Sequence, residues 1–138
     1  IEASLRRVTH YDYWQDCLRP CILCDSGADM ITYGMGEKPT LELARRLSEG
    51  ETVSDITDLP QTVYLSADVQ PTPDDIVLRS HEECLHNKRA QAEDFRHIEE
   101  QSNMLHAQRL LQAVPVYGCT TAVNATTAYV VVNPPFPR

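Results

Sequence analysis

The stretch from residue 28 to residue 50, ADMITYGMGEKPTLELARRLSEG, predicts a strand, a glycine turn and a helix in succession. Residues 28–33 form a short, mostly apolar run, and the turn that follows it contains two glycines. Pro39 suits the first turn of a helix, and apolar residues then recur at helical spacing. Because Gly50 suits the position just past a helix end, we expect the helix to run from Pro39 to Glu49.

The turn Gly34-Met35-Gly36-Glu37 is of the kind that brings backbone amides and a helix N-terminus up to an anionic group. It lacks the full dinucleotide-binding fingerprint. A turn with two glycines also occurs where a tight turn has only a structural role. Gly34, Gly36 and Glu37 are therefore the candidate cofactor-binding residues, with a purely structural turn as the alternative.

Beyond this unit the sequence predicts two short strands and one long helix. β-branched and aromatic residues predict a strand at Thr62–Leu65, and a second strand follows at Ile76–Leu78. Residues 80–83 have the spacing of a capping box, and neither proline nor glycine interrupts the segment from His81 to about Ala113. We therefore expect a long helix over that segment.

The tail Ala128–Val132 is a continuous apolar run, which predicts a final strand that is buried on both faces. Together the elements predict an α/β fold with a partial Rossmann-like, three-layer unit at residues 1–67. A linker with a short strand follows at 68–79, and residues 80–138 form an accessory part with the long helix and the final strand. We expect an open sheet edge, and a homodimer formed through that edge or through the long helix is then possible.

Composition excludes several classes of function. With 12 basic and 20 acidic residues the formal net charge is −8, and no basic stripe is present to bind nucleic acid or anionic lipid. No apolar run reaches the ~20 residues that a membrane span needs. An apolar share of 42% is typical of a globular protein, and five cysteines, an odd number at low density, indicate reduced thiols in a cytoplasmic protein.

Cys17, Cys21 and Cys24 have the Cys-x3-Cys-x2-Cys spacing by which radical SAM enzymes hold three irons of a four-iron cluster. The run Cys21–Cys24 is apolar and strand-like, however, and on a strand its two cysteines face opposite ways. Leu23 also stands where an aromatic residue is usual in that superfamily. Buried free thiols are the preferred interpretation, and a cluster-binding module is the alternative.

Several segments together resemble the middle of YgiQ-like radical SAM proteins: Ile1–Arg7, His10–Trp14, residues 28–37, Ser80–Glu83 with Lys88, Glu99–Asn103, Gln112 and Val132–Pro135. Residues 29–37 also look like the last strand and helix of the cobalamin-binding-type domains that precede many radical SAM cores. This likeness implies that residues 1–67 are the C-terminal part of a Rossmann-like domain of that type. The resemblance covers nearly the whole chain. Residues 116–127 depart from it and look like an insertion without a functional interpretation.

This resemblance implies that the chain is an internal piece of a longer polypeptide, ahead of a barrel domain whose cluster cysteines lie C-terminal to Pro135. The 4Fe-4S cluster and S-adenosyl-L-methionine are then cofactors of the full-length enzyme. The chain itself is a non-catalytic accessory region that contributes no catalytic residue and no metal ligand, and the barrel of the same polypeptide is its partner. Two alternatives stay open: an iron-sulfur or metal module on Cys17, Cys21 and Cys24, and a small-ligand-binding Rossmann-like module at the Gly34 turn.

Overall fold

The computed structural model describes residues 2–67, 69–116 and 126–136 of a mixed α/β chain. Its helices are α1 (Glu2–Leu5), α2 (Ile22–Ser26), α3 (Glu37–Ser48), α4 (His81–His86) and α5 (Lys88–Ser102), with a 3₁₀ turn at Val53–Asp55. Its strands are β1 (His10–Asp12), β2 (Cys17–Arg19), β3 (Ile31–Thr32), β4 (Thr62–Ser66), β5 (Ile76–Val77), β6 (Leu110–Val116) and β7 (Thr126–Val132). The predicted α/β class is confirmed, and it is consistent with a partial Rossmann-like unit. None of the helices in these ranges has the length and apolar character to span a membrane.

The main sheet has five strands in the order β3-β4-β7-β6-β5. Its neighbouring strands are antiparallel except for β5 and β6, which run parallel. β1 and β2 form a separate antiparallel hairpin. The last predicted strand, β7, therefore lies at the centre of the sheet, with β4 on one side and β6 on the other.

Alternate residues of the central strand pack into two hydrophobic clusters. Val130 and Val132 join the larger cluster, which also includes side chains from α2 and α5. Val131 points to the opposite face and packs between Tyr64 and Leu111, the residues that it pairs with on the two neighbouring strands. All three valines are at most 3% exposed. The prediction of a final strand buried on both faces is confirmed.

The strand, turn and helix of residues 28–50 are also present. The strand is β3, and α3 begins at Glu37, two residues before the predicted start, and ends at Ser48. Gly50 follows with a φ of +97°, a conformation that side chains with a Cβ rarely adopt. The strands predicted around residues 62–65 and 76–78 are confirmed as β4 and β5.

The prediction of one long helix from His81 to about Ala113 is wrong. The segment divides at Asn87, whose side chain caps α5 by accepting a hydrogen bond from the Arg89 N–H (3.0 Å). α5 ends at Ser102, and the chain enters β6 at Leu110. The last apolar residues of the segment fit a strand as well as a helix, and pairing with both β5 and β7 decides for the strand.

The strand predicted at Cys21–Cys24 is wrong as well. Cys21 is the residue before α2, and Cys24 lies within that helix. The helix ends at Gly27, which has a φ of +69° and donates its N–H to the Leu23 carbonyl (3.3 Å). A short apolar run does not by itself distinguish a strand from a helix, and the left-handed glycine cap favours the helix here.

Strands from both sides of the predicted linker at residues 68–79 share the main sheet. The division into domains at 1–67 and 80–138 stays a prediction, and so does homodimerisation. The two outer strands, β3 and β5, have two residues each. Residues 117–125, which include Cys119 and most of the predicted insertion, lie outside the described residues.

The loop before β5 is tied to the sheet by an ion pair between Asp75 and Arg109. The Arg109 Nε and Nη2 atoms lie 2.9 and 2.6 Å from the two carboxylate oxygens of Asp75, whose side chain is 6% exposed. Hydrogen bonding by the Arg109 guanidinium holds the pKa of Asp75 at about 2, below its ordinary value of 3.8. A depressed pKa in the folded state stabilises the fold at neutral pH, and this stabilisation is lost as the pH falls from 3.8 towards 2.

We expect Asp75→Asn to lower the free energy of unfolding by about 2 kcal/mol at pH 7, which is the pKa difference converted to free energy. The difference between the two proteins should shrink as the pH approaches 2, because the wild-type carboxylate is then protonated as well. Urea denaturation at several pH values measures it. Asp74→Asn is the matched control because Asp74 is exposed. Equal losses from the two substitutions would contradict the prediction.

Candidate functional site

A cavity of about 350 Å³ opens where four segments of the chain meet. Its wall is formed by α1 and the residues after it, the turn after β3, the last turn of α5 with the following loop, and the residues after β7. Ile98, Leu110 and Val132 give it an apolar part, while Arg7 and Gln101 are among its polar residues. This volume and mixed lining are typical of a small-molecule site. We call it the Arg7 cavity.

Arg7 is held in place but carries a charge that no described carboxylate neutralises. Its guanidinium lies 4.4 Å from the centroid of the Tyr33 ring, and its Nε–H donates to the Ser4 carbonyl (2.8 Å). Within the described residues, each of the other arginines forms an ion pair with an aspartate or glutamate, namely Arg6, Arg19, Arg45, Arg46, Arg79, Arg89, Arg96 and Arg109. Arg7 is thus an exception in a chain of net charge −8.

Tyr33, on which Arg7 stacks, is fixed by Asn133. Tyr33 is buried, and burial raises the pKa of its phenol, so at neutral pH the O–H stays protonated and donates to the Asn133 carbonyl. The Asn133 side-chain amide donates to the carbonyls of Thr57 (3.0 Å) and Leu59 (3.1 Å). This end of the Arg7 cavity is therefore held by buried hydrogen bonds.

The predicted cofactor-binding turn lies only partly at this cavity. Gly34 lines it, with a φ of +68° and its N–H donating to the Ser4 hydroxyl (3.1 Å). The Gln61 side-chain amide donates to the carbonyls of Tyr33 and Met35, each at 3.0 Å, so the turn is stabilised from within the chain. Gly36 and Glu37 begin α3 and are not among the lining residues of the Arg7 cavity. Ligand contact by Gly34, Gly36 and Glu37 stays a prediction.

A buried polar cluster, which the sequence reasoning missed, lies between β6 and the helices α4 and α5. The Asp94 carboxylate is 2% exposed and accepts hydrogen bonds from the Arg79 N–H (2.8 Å) and the Cys84 thiol (3.3 Å). Gln112 donates to the Arg79 carbonyl (3.1 Å) and accepts from the Thr9 N–H (2.8 Å). Burial raises the pKa of Asp94 and raises that of Cys84 to about 12. These hydrogen bonds join the N-terminal segment to the sheet and to both helices.

One signal in the sequence points to this cluster. Asp94 shares a helix face with Ala90 and Gln101, which are buried, so a carboxylate stands on the inward face of α5. His81 completes the cluster with its Nδ1 2.7 Å from the Thr9 hydroxyl, and burial lowers its pKa. Across the part of the chain that the structure describes, no three His, Cys, Asp or Glu side chains are placed to hold a metal ion. The arrangement is that of a structural hydrogen-bond cluster.

Comparison with known proteins decides the family. Residues 1–137 match the family model described as Radical SAM N-terminal. The chain belongs to this family. A UPF0313 protein of Bacteroides thetaiotaomicron is 49% identical over 150 residues, covering 99% of this chain and 22% of the relative. A UPF0313 protein of Porphyromonas gingivalis is 52% identical over 140 residues, covering 99% of this chain and 20% of the relative.

A UPF0313 protein of Methanocella arvoryzae is also similar to the Radical SAM N-terminal chain, at 39% identity over 135 residues that cover 98% of the chain and 21% of the relative. The chain spans about a fifth of the length of these curated relatives. No solved structure matches it. UPF0313 proteins are the YgiQ-like radical SAM family, so the resemblance seen in the sequence is confirmed.

The segments that carry this resemblance come together in the folded Radical SAM N-terminal chain. Four of them reach the Arg7 cavity and supply the lining residues Ser4, Arg7, Tyr33, Gly34, Gln101 and Asn133. Two others, Ser80–Glu83 and Gln112, supply residues of the buried polar cluster. Residues that are far apart in the sequence thus form one cavity and one structural cluster.

The three early cysteines of the Radical SAM N-terminal chain are free thiols on β2 and at the start of α2. Cys21 is fully buried, and burial raises its pKa to about 12. Burial also raises the pKa of Cys24. Because the metal ligand is the thiolate, burial disfavours Cys21 and Cys24 as ligands, and a cluster on the triplet stays the alternative.

Proposed function

We propose that this chain is a non-catalytic accessory region of a radical SAM enzyme, and that it shapes or covers the active site in a barrel domain of the same polypeptide. The observation that carries the proposal is the family match over residues 1–137 in a chain that spans about a fifth of its relatives. The relatives are long enough to contain a separate catalytic domain. The convergence of family-like segments on the Arg7 cavity supports a shared role for that region.

The 4Fe-4S cluster and S-adenosyl-L-methionine belong, in this proposal, to the part of the polypeptide that follows Pro135. The placement of the three early cysteines does not fit a cluster loop, because Cys17 lies on β2, Cys24 lies in α2, and Cys21 is fully buried before that helix. The free thiols of the described cysteines support a cytoplasmic location as part of the same proposal.

The hairpin of β1 and β2 supports the assignment of a protein domain as the partner. At its tip Trp14 is 90% exposed and Tyr13 is 75% exposed, and their ring centroids lie 5.5 Å apart. Leu5, which is 61% exposed, lines the same surface depression. Clustered exposed aromatic side chains are typical of protein interfaces. We therefore assign the contact with the barrel domain to this hairpin.

The proposal is tested by replacing Cys17, Cys21 and Cys24 together with alanine in the full-length gene product. After anaerobic reconstitution with iron and sulfide, we expect the triple variant to keep the wild-type iron and sulfide content. We also expect it to cleave S-adenosyl-L-methionine to 5′-deoxyadenosine at the wild-type rate, with dithionite as the reductant. Both results follow if the cluster ligands lie outside this chain.

Cys84→Ala is the matched control, because Cys84 is a buried free cysteine outside the triplet. A loss of iron in the triple variant and not in C84A would contradict the proposal and favour an iron-sulfur module on the triplet. Cys17→Ala alone keeps the test informative if the triple variant fails to fold, since Cys17 is only half-buried. Circular dichroism monitors folding in each case.

A further inference from the structure

We propose that the Arg7 cavity binds an oxyanion, a carboxylate or a phosphate, that is attached to a partly apolar group. The charge of Arg7 indicates an anionic ligand. In the described part of the chain Arg7 lacks the carboxylate partner that each other described arginine has, although acidic residues outnumber basic ones by 20 to 12. A half-buried guanidinium without a counter-charge favours an anion from outside the described residues.

The lining of the cavity indicates a ligand with an apolar part. Ile98, Leu110 and Val132 line the same cavity of about 350 Å³ as Arg7 and give it an apolar part. An inorganic ion gains no free energy from burying apolar surface here, whereas the apolar body of an organic anion does. The lining therefore favours an amphipathic molecule or side chain over a free ion.

The Arg7 side chain is preorganised for binding. The Ser4 carbonyl and the Tyr33 ring fix the Arg7 guanidinium, and the Asn133 carbonyl fixes Tyr33 in turn. A side chain that is already ordered loses little conformational entropy on binding. Arginine also presents a planar set of donors that matches the oxygens of a carboxylate or a phosphate.

This site differs from the glycine turn that the sequence singled out. Of that turn only Gly34 lines the cavity, and the anion contact is assigned to a side chain instead of the N-terminus of α3. The oxyanion has two possible sources, a free small molecule or an acidic side chain from another part of the full-length polypeptide. Both present the same chemistry to Arg7, and the experiment separates them.

The test titrates the ¹⁵N-labelled chain with phenylacetate and follows amide chemical shifts. We expect saturable shifts at the Gly34 and Gln108 amides, which belong to lining residues. Phenylacetamide, the uncharged analogue, should bind at least tenfold more weakly, because it loses a charge-assisted hydrogen bond. Inorganic phosphate should compete with phenylacetate. Arg7→Gln should weaken phenylacetate binding by about tenfold or more, and Arg7→Lys should weaken it less.

Arg96→Gln is the control variant, because Arg96 is an exposed arginine on α5 that does not line the cavity. It should bind phenylacetate as the wild type does. The proposal is overturned if phenylacetate causes no saturable shifts in the wild type, or if R7Q binds it as well as the wild type. Dispersion of the amide spectrum shows whether R7Q is folded, and R7K carries the test if it is not.

The source of the oxyanion is identified by modification of Arg7 with phenylglyoxal, read by mass spectrometry on the full-length gene product. Protection of Arg7 without added ligand in the full-length gene product, but not in residues 1–138 alone, indicates an acidic side chain of the same polypeptide. Protection only after addition of phenylacetate indicates a free small molecule. Full modification under both conditions contradicts the proposal. Arg96 serves as the internal standard for an exposed arginine.

Discussion

Replacing Gln112 by leucine is expected to lower the free energy of unfolding by about 3 kcal/mol, because it leaves several buried polar groups without partners. The Gln112 side chain is 0% exposed, accepts from the N–H (2.8 Å) and hydroxyl (3.1 Å) of Thr9, and donates to the Arg79 carbonyl (3.1 Å). Leucine has a similar volume but can form none of these bonds. Urea denaturation monitored by circular dichroism measures the loss.

Two comparisons separate lost hydrogen bonds from altered packing. Gln112→Glu keeps the shape and the acceptor oxygens but places a carboxylate near Asp94, so we expect it to be at least as destabilising as Q112L. Gln70→Leu is the matched surface control, since Gln70 is exposed, and it should change stability by no more than about 0.5 kcal/mol. A Q112L variant as stable as the wild type would show that the cluster does not stabilise the fold.

Local sequence pattern accounts for the elements of residues 28–50 but not for β6. Leu110, Gln112 and Val114 face the helices at a spacing of two residues, which is the period of a strand. The preceding stretch has a helical pattern, and without knowledge of β7 the two patterns merge into one apparent helix. Pro115 is also compatible with β6. A proline has no N–H to donate to a neighbouring strand, and β5 pairs only with Leu110 and Leu111, so at Pro115 no strand is paired on the β5 side of β6. The pairing of residues 110–116 with the distant strands β5 and β7 therefore determines that this segment is a strand, which the local pattern does not show.

The candidate site shows the same limit. Gly34 was identified from the sequence because a glycine turn between a strand and a helix has a local signature. Arg7 was not identified, because its distinguishing property is the lack of a carboxylate partner in the described structure, and partners depend on the fold. In the sequence it is one of two adjacent arginines, of which Arg6 pairs with Asp25. The family resemblance includes the segment Ile1–Arg7 but does not distinguish Arg6, which forms an ion pair within the chain, from Arg7, which lines the cavity.

The cysteine triplet shows why spacing alone does not define a cluster site. The interval between Cys17, Cys21 and Cys24 matches the pattern of a cluster-binding loop, but a cluster needs three accessible thiolates on such a loop. The chain instead places them on β2 and at the start of α2. Cys21 contributes to the hydrophobic core at 0% exposure, where burial keeps the thiol protonated. A small, weakly polar side chain suits that position for packing alone.

Replacing Asn133 by alanine is expected to lower the free energy of unfolding by about 3 kcal/mol. Its side-chain amide donates to the carbonyls of Thr57 (3.0 Å) and Leu59 (3.1 Å) and lies 3.2 Å from the Thr62 hydroxyl oxygen, so one buried group holds the loop before β4. Alanine removes the donor and leaves these acceptors in a site that is 5% exposed. Thermal denaturation should show a fall in Tm of about 10 °C.

Asn103→Ala is the control for this substitution. Asn103 is exposed, and its amide donates to a single carbonyl at the end of α5, that of Glu99 (3.0 Å), so we expect a loss of no more than about 1 kcal/mol. In N133A the backbone carbonyl that accepts from Tyr33 is retained, so the stability loss reports on the side-chain amide and not on the Tyr33 hydrogen bond. Equal losses of unfolding free energy in N133A and N103A would contradict the prediction, because the buried Asn133 amide would then stabilise the fold no more than an exposed amide does.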